Sequence, residues 1–254
     1  MSAGEVGVAS NVEVTFTLDL EDYGLRGELP VPIDSAVERI LEAASDARAI
    51  GTVFVVGELA ARRPDLVRRC VEAGHEVALH GYRHVPIDEL GQRGFVEDLA
   101  RGRAAVEAAS GCAIEGYRAP LFSLTHRTPW APEALAAAEF TYSSSVLPAP
   151  NPIRGYPGAP RAPFRWASGI VEFPCPVGGP RGAKIPYLGG VYMRYLPMWL
   201  IRRWAAQADP AVIPWLYCHP YDADLTGRAL RLPHAGRVTT AVLGLRRRQT
   251  PLRI

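Results

Sequence analysis

Two imidazoles four residues apart, His80 and His84, follow the apolar run Val77-Ala78-Leu79. A buried strand that ends in two imidazoles supplies half of a metal site, because imidazole nitrogen suits zinc and neighbouring divalent ions. The acidic complement is Asp19-Leu20-Glu21-Asp22, which closes the run from Val12 to Leu18. A metal hydrolase needs one carboxylate in the ligand set and a second, nearby and unbound, to take a proton from water at the ion. Two further apolar runs end in polar groups: Ile114 to Tyr117 leads into Arg118, and Val212 to Tyr217 leads into Cys218-His219. Taken singly, each has an ordinary role open to it: a solvated acidic turn, polar loop histidines, a surface ion pair for Arg118, a hydrogen-bonded core histidine for His219.

What joins them is the order of elements. Strand-like and helix-like segments alternate over the first half, the pattern of a parallel sheet with helices packed outside. Ser35-Ala36-Val37-Glu38 has capping-box form and predicts a helix to about Ala47. Thr52 to Val56 reads as a strand, Pro64 opens a helix over Asp65 to Ala73, and His75 to Leu79 returns as a strand. A helix is predicted over roughly Gly94 to Ala109, a long Pro- and Gly-rich loop over Pro148 to Pro163, a strand at Ile170 to Phe173 and a helix at about Pro197 to Ala208. In parallel α/β proteins the C-terminal strand ends converge on the ligand site, so one rule brings these sequence islands together.

With 254 residues, 48% of them hydrophobic and 21% charged, the chain can bury a large core, and it reads as a single domain whose catalytic core covers about residues 12–224. A net charge of +2 and no basic run interleaved with aromatics give no nucleic-acid track. Arg246-Arg247-Arg248 reads as a solvated tail. Cys70, Cys112, Cys175 and Cys218 form no CxxC pair, which fits a reducing compartment. Met1 to Asn11 lacks a signal-peptide pattern and no stretch approaches the roughly 20 apolar residues of a membrane span, so a cytoplasmic location is expected. The GxSxG, GxGxxG and GKS/T motifs are absent, and His75-Glu76 with His80 lacks the spacing of HExxH. His75, His126 and His234 are read as structural or loop residues, with His126 near enough to Phe122 to meet substrate.

At these residues the chain resembles the NodB-type polysaccharide deacetylases, carbohydrate esterase family 4, in the branch that takes in exopolysaccharide-cluster and allantoinase-like members. The likeness is carried by Asp19-Leu20-Glu21-Asp22-Tyr23, His80-Gly81-Tyr82-Arg83-His84, Gly116-Tyr117-Arg118-Ala119-Pro120, Tyr142-Ser143-Ser144-Ser145 and Tyr217-Cys218-His219-Pro220. It implies an α/β fold, a distorted (β/α) barrel, and one divalent metal ion, usually zinc, held by one carboxylate and two histidines. It implies hydrolysis of an amide, typically removal of an N-acetyl group from an amino sugar. Carried over residue by residue, Asp19 is the general base, His80 and His84 are metal ligands, Arg118 pairs with Asp19, and His219 is the general acid. A backbone N–H near Tyr23 or Gly24 completes the expected oxyanion contacts.

Two departures from the family pattern stand out. Its adjacent aspartate pair is spread here into Asp19-Leu20-Glu21-Asp22, so the carboxylate ligand is Glu21 by spacing or Asp22 by residue type. Ser143 stands where relatives often carry an aspartate that tunes the acid histidine, with Asp222 or Asp224 as substitutes. Tyr82, Phe122, Trp166, Tyr192 and Trp215 are aromatics that could stack on a sugar or fill the core. Two other readings share the fold: hydrolysis of cyclic amides or imides, and a non-catalytic carbohydrate-binding barrel.

Overall fold

The alternation in Thr15-Phe16-Thr17-Leu18-Asp19-Leu20 decides where a site can lie. In the computed structural model, which describes residues 13–22, 33–151, 154–180 and 184–223, this run is strand β1 (Thr15–Leu20). Successive strand side chains point to opposite faces. Phe16, Leu18 and Leu20 accordingly enter the main core beneath the helices, whereas Thr17 and Asp19 are buried on the other face.

The same division runs through the sheet. In β2 (Gly51–Val55), Val53 and Val55 face the helices; in β3 (Glu76–Leu79), Val77 and Leu79 do. Next come β4 (Gly116–Tyr117), β5 (Tyr142–Ser143), β6 (Phe164–Arg165), β7 (Val171–Glu172) and β8 (Trp215–Cys218). Trp215 and Tyr217 of β8 form a second apolar cluster with Leu147, Ala149 and Cys175, while Leu216 and Cys218 join the main core. The strand order is β6-β7-β5-β4-β3-β2-β1-β8, parallel throughout except between β6 and β7. The sheet curls into a half-barrel, the distorted α/β barrel expected. The C-terminal ends of β1, β3, β4 and β8 therefore share one rim.

The helices are α1 (Ile33–Asp46), α2 (Gly57–Arg62), α3 (Pro64–Glu72), α4 (Ile87–Ser110), α5 (Ala131–Ala137), α6 (Gly190–Tyr195) and α7 (Met198–Ala206), with 3₁₀ turns at Pro120–Phe122 and Pro220–Asp222. Two helices start earlier than predicted. The first begins at Ile33, which is buried, so Ser35 lies within its first turn instead of capping it. Helix α4 begins at Ile87, where the Ser123 hydroxyl accepts the first N–H, and is broken at Gly91, which has φ +66°. The strand read over Val212 to Tyr217 is shorter and shifted, Trp215–Cys218, and the segment from Pro148 to Pro163 is irregular as expected. Among the described residues no helix is long and apolar enough to cross a membrane.

Candidate active site

Asp19 sits at the end of β1 on the inner face, and Glu21, two residues on, keeps that face. Both are buried. Of the two candidate ligands, Glu21 groups with His80 and His84, their donor atoms all within 4.8 Å of one another, and Asp22 is not in that cluster. The geometry favours Glu21 as the carboxylate.

His80 follows β3 directly. Its backbone N–H extends the ladder to Val55 O (2.8 Å), and its ring Nδ1 lies 2.8 Å from the carbonyl oxygen of Arg118. A carbonyl only accepts, so Nδ1 carries the proton and Nε2 presents a lone pair toward Glu21 and His84. Gly81 adopts φ +70°, a left-handed turn that a Cβ would strain, and His84 itself has φ +54°. The loop between them is pinned on both sides: Gly57 and Glu58 at the start of α2 donate to Gly81 O (2.9 Å) and Tyr82 O (2.8 Å), and Asp98 of α4 accepts the Tyr82 N–H (2.7 Å). The turn brings His84 Nε2 to 2.7 Å from Glu21 Oε2.

The donor set suits a divalent cation. Burial opposes ionisation of Glu21, but His84, then His219 and His80, outweigh it and hold its carboxyl at about 2. Burial pushes His80 down to about 4 against the pull of Asp19. At neutral pH both are in the forms a metal binds, carboxylate and neutral imidazole. Two imidazoles and one carboxylate leave coordination positions open, the ligand count of a catalytic rather than a structural site.

Arg118 follows β4 and is 1% exposed. Its Nη1 donates to Asp19 Oδ1 (2.6 Å) and to the Thr17 hydroxyl (2.9 Å), Nη2 to Ser144 Oγ (3.1 Å) and Nε to Ser144 O (3.3 Å). The guanidinium carbon lies 3.9 Å from the ring centre of Phe54 and 4.3 Å from that of Trp215. The pairing with Asp19 is through one nitrogen, and Ser144 occupies the other two.

His219 closes the site from β8. Its Nε2 lies 3.8 Å from Asp19 Oδ2 and 3.5 Å from Glu21 Oε1, and its Nδ1 lies 3.1 Å from Asp222 Oδ2. Burial disfavours the imidazolium, yet the Asp222 hydrogen bond and the charges of Glu21, Asp222 and Asp19 raise its pKa above the usual histidine value. Tyr221 stacks on the ring at 4.5 Å. Ser143 does not reach it: the Ser143 hydroxyl donates to Ser145 Oγ (2.8 Å), and Asp222 is the carboxylate that faces His219.

Other residues fall as follows. His75 Nδ1 accepts the Gly51 N–H (3.2 Å) at the opposite end of the sheet, and His126 Nε2 meets Pro157 O (3.0 Å). Phe122 packs on Trp215 and Tyr217 instead of standing alone. Tyr23, Gly24, Asp224, His234 and Arg246 to Arg248 lie outside the described residues, as do Met1 to Asn11. Thr17, Asp98 and Phe54 fell inside predicted elements without being singled out, Ser144 lay in a quoted motif without a role, and Trp215 was read as an aromatic for sugar or core, not as a cover for Arg118.

Residues 15–142, half of the chain, match the family described as polysaccharide deacetylase. The chain belongs to that family. Residues 144–254 match a second family, described as a domain of unknown function (DUF3473). A chitooligosaccharide deacetylase of Sinorhizobium fredii is 33% identical over 82 residues, 32% of this chain and 38% of that protein. Among solved structures, a Mycobacterium smegmatis protein assigned to the polysaccharide deacetylases superposes with a TM-score of 0.58 at 19% identity, covering 87% of this chain and 82% of that one. A family 4 carbohydrate esterase pseudoenzyme from Bacillus anthracis superposes at 0.50 with 13% identity, covering 84% and 56%. At these identities the two structures speak for the fold.

Proposed function

We propose that this chain is a metal-dependent hydrolase that removes an N-acetyl or similar acyl group from an amino sugar or a sugar-containing intermediate. The observation that carries the reading is the convergence on one rim of a Glu21/His80/His84 donor cluster, an arginine-held Asp19 and an aspartate-backed His219. Glu21, His80 and His84 hold the ion. When bound, a divalent cation, zinc by this ligand set, polarises the amide carbonyl and acidifies a water.

Asp19 takes the proton from the attacking water. Arg118 keeps it charged and aimed, and no atom of Asp19 is needed in the ligand set. His219, whose raised pKa favours the protonated ring, delivers a proton to the amine nitrogen as the carbon–nitrogen bond breaks; without that proton the adduct collapses back to substrate. The resemblance to a chitooligosaccharide deacetylase supports an N-acetylated sugar as substrate. The two family segments act as one catalytic unit in this reading, since β8, from the second, pairs with β1, from the first. Four unpaired cysteines support a reducing compartment.

The test is amine release from N,N′-diacetylchitobiose and N-acetylglucosamine by purified protein, stripped with chelator and reloaded with zinc. Zinc-dependent release that Asp19→Asn abolishes is expected. Zinc bound at one equivalent with no release from any N-acetylated sugar, or release indifferent to Asp19→Asn, overturns the assignment.

A further inference from the structure

The Arg118–Asp19 pair is held by a second carboxylate that lies outside the site. Glu172 of β7 is 0% exposed and its partners are neutral donors: Oε1 accepts the N–H of Ser145 (2.7 Å) and of Val146 (2.9 Å), and Trp166 Nε1 stands 3.5 Å from Oε2. A carboxyl at such depth costs several kcal/mol to keep there unless each acceptor position is used. Burial pushes its pKa up, against the hydrogen bonds from Ser145 and Val146 and from the side chains of Ser143 and Trp166.

The peptide unit between Ser144 and Ser145 links it to the site. Its N–H donates to Glu172, and its C=O accepts Arg118 Nε at 3.3 Å. One rigid plane therefore carries an acceptor to the guanidinium because its other end is gripped. Hydrogen bonds in series polarise one another. The neighbouring hydroxyls are set by the same segment: Ser144 Oγ accepts Arg118 Nη2 and donates to Phe173 O (3.1 Å), and Ser145 Oγ accepts the Ala119 N–H (2.8 Å).

We propose that Glu172 is a positioning residue for the reaction: by holding the 144–146 turn it fixes Arg118, and through Arg118 the orientation of Asp19. The inference rests on the reading of Asp19 as the base.

The experiment uses the zinc-loaded full chain with N,N′-diacetylchitobiose. Glu172→Ala, or the shorter Glu172→Asp if the alanine variant does not fold, should lower kcat about tenfold or more with KM and zinc content near wild type, since a small misplacement of a catalytic group costs up to about 10²-fold. Glu172→Gln keeps an acceptor for both N–H groups and should recover most of the loss. In an Arg118→Ala background the Glu172 change should cost less than about twofold, because the two act in one line. The ¹⁵N-detected Arg118 Nε–H, slow to exchange in the wild type, should exchange faster in Glu172→Asp. Equal losses with and without Arg118 identify a general structural role and overturn the proposal, as does an Arg118 Nε–H still protected in Glu172→Asp at full kcat. If Asp19→Asn retains activity, the base assignment fails instead, and the exchange measurement still reports whether Glu172 holds Arg118.

Discussion

Replacing Arg118 with alanine separates orientation of the base from binding of the metal. The side chain is 1% exposed and spends one nitrogen on Asp19, itself 4% exposed. A buried carboxylate stripped of its cation costs about 3–5 kcal/mol, and this figure already contains the roughly 1.5–3 kcal/mol of the charge-assisted hydrogen bond. At about 2–4 °C per kcal/mol for a chain of this size, Tm should fall by about 6–20 °C. Metal content should hold, because His80 is oriented by the main-chain carbonyl of residue 118, which the substitution leaves in place. Turnover should drop on the order of 10²-fold as Asp19 loses its fixed direction. Arg118→Lys restores the charge and part of the stability but not the rate, since one ammonium cannot reach Thr17, Asp19 and both Ser144 acceptors. Differential scanning calorimetry, elemental metal analysis and amine release on the same preparations make the comparison. An alanine variant with wild-type Tm and turnover refutes the argument; one that loses metal in step with activity shows that Arg118 maintains the metal site itself.

Glu21→Gln should lower zinc affinity by at least about tenfold while Asp22→Asn leaves it near wild type, measured by competition with a chromophoric chelator; the reverse result reassigns the carboxylate ligand. His219→Ala should keep the ion and lose about 10²–10⁴-fold in turnover, and near-normal turnover would make the histidine structural. Burial lowers the pKa of His219 and Asp222 is the largest influence raising it; the acid is active when protonated, so activity falls as pH rises through that pKa, and Asp222→Asn should move the alkaline limb of the kcat/KM profile to lower pH. An unmoved limb separates Asp222 from the acid.

The residues at strand ends were legible because a parallel sheet gathers them by rule: His80 and Arg118 each follow a run whose last residue is the last of its strand, and His219 follows a strand that ends one residue past its run. The choice between Glu21 and Asp22 was not legible from residue type; it is the fold that gathers Glu21 with His80 and His84. Short elements escaped for a plain reason. The strands β5 and β6 have two residues each, too few for a period, and α2 has six. The start of α1 was misplaced by a capping-box pattern that a buried Ile33 overrides. Glu172 carried no motif, since its two backbone donors lie 27 and 26 residues back on a neighbouring segment.

The boundary between the two matched families falls between residues 142 and 144, at the end of β5, yet the chemistry does not divide there. Asp19, Glu21, His80, His84 and Arg118 come from the first segment; Ser144, Glu172, His219 and Asp222 come from the second. The hydrogen-bond ladder crosses the boundary twice, at β5 with β7 and at β1 with β8. Without the second segment, β1 would be an edge strand presenting buried Thr17 and Asp19 to water, Trp215 would no longer cover the Arg118 guanidinium, and no imidazole would face Asp19 from β8. A buried ion pair between Asp19 and Arg118 is favourable only while its remaining donors and acceptors are met. Those partners are Thr17, whose hydroxyl itself donates to Leu216 O of β8, and Ser144, on the turn that Glu172 grips. The second segment is thus the part that makes the first segment's buried charges tolerable, and it brings His219, the proposed proton donor, with it.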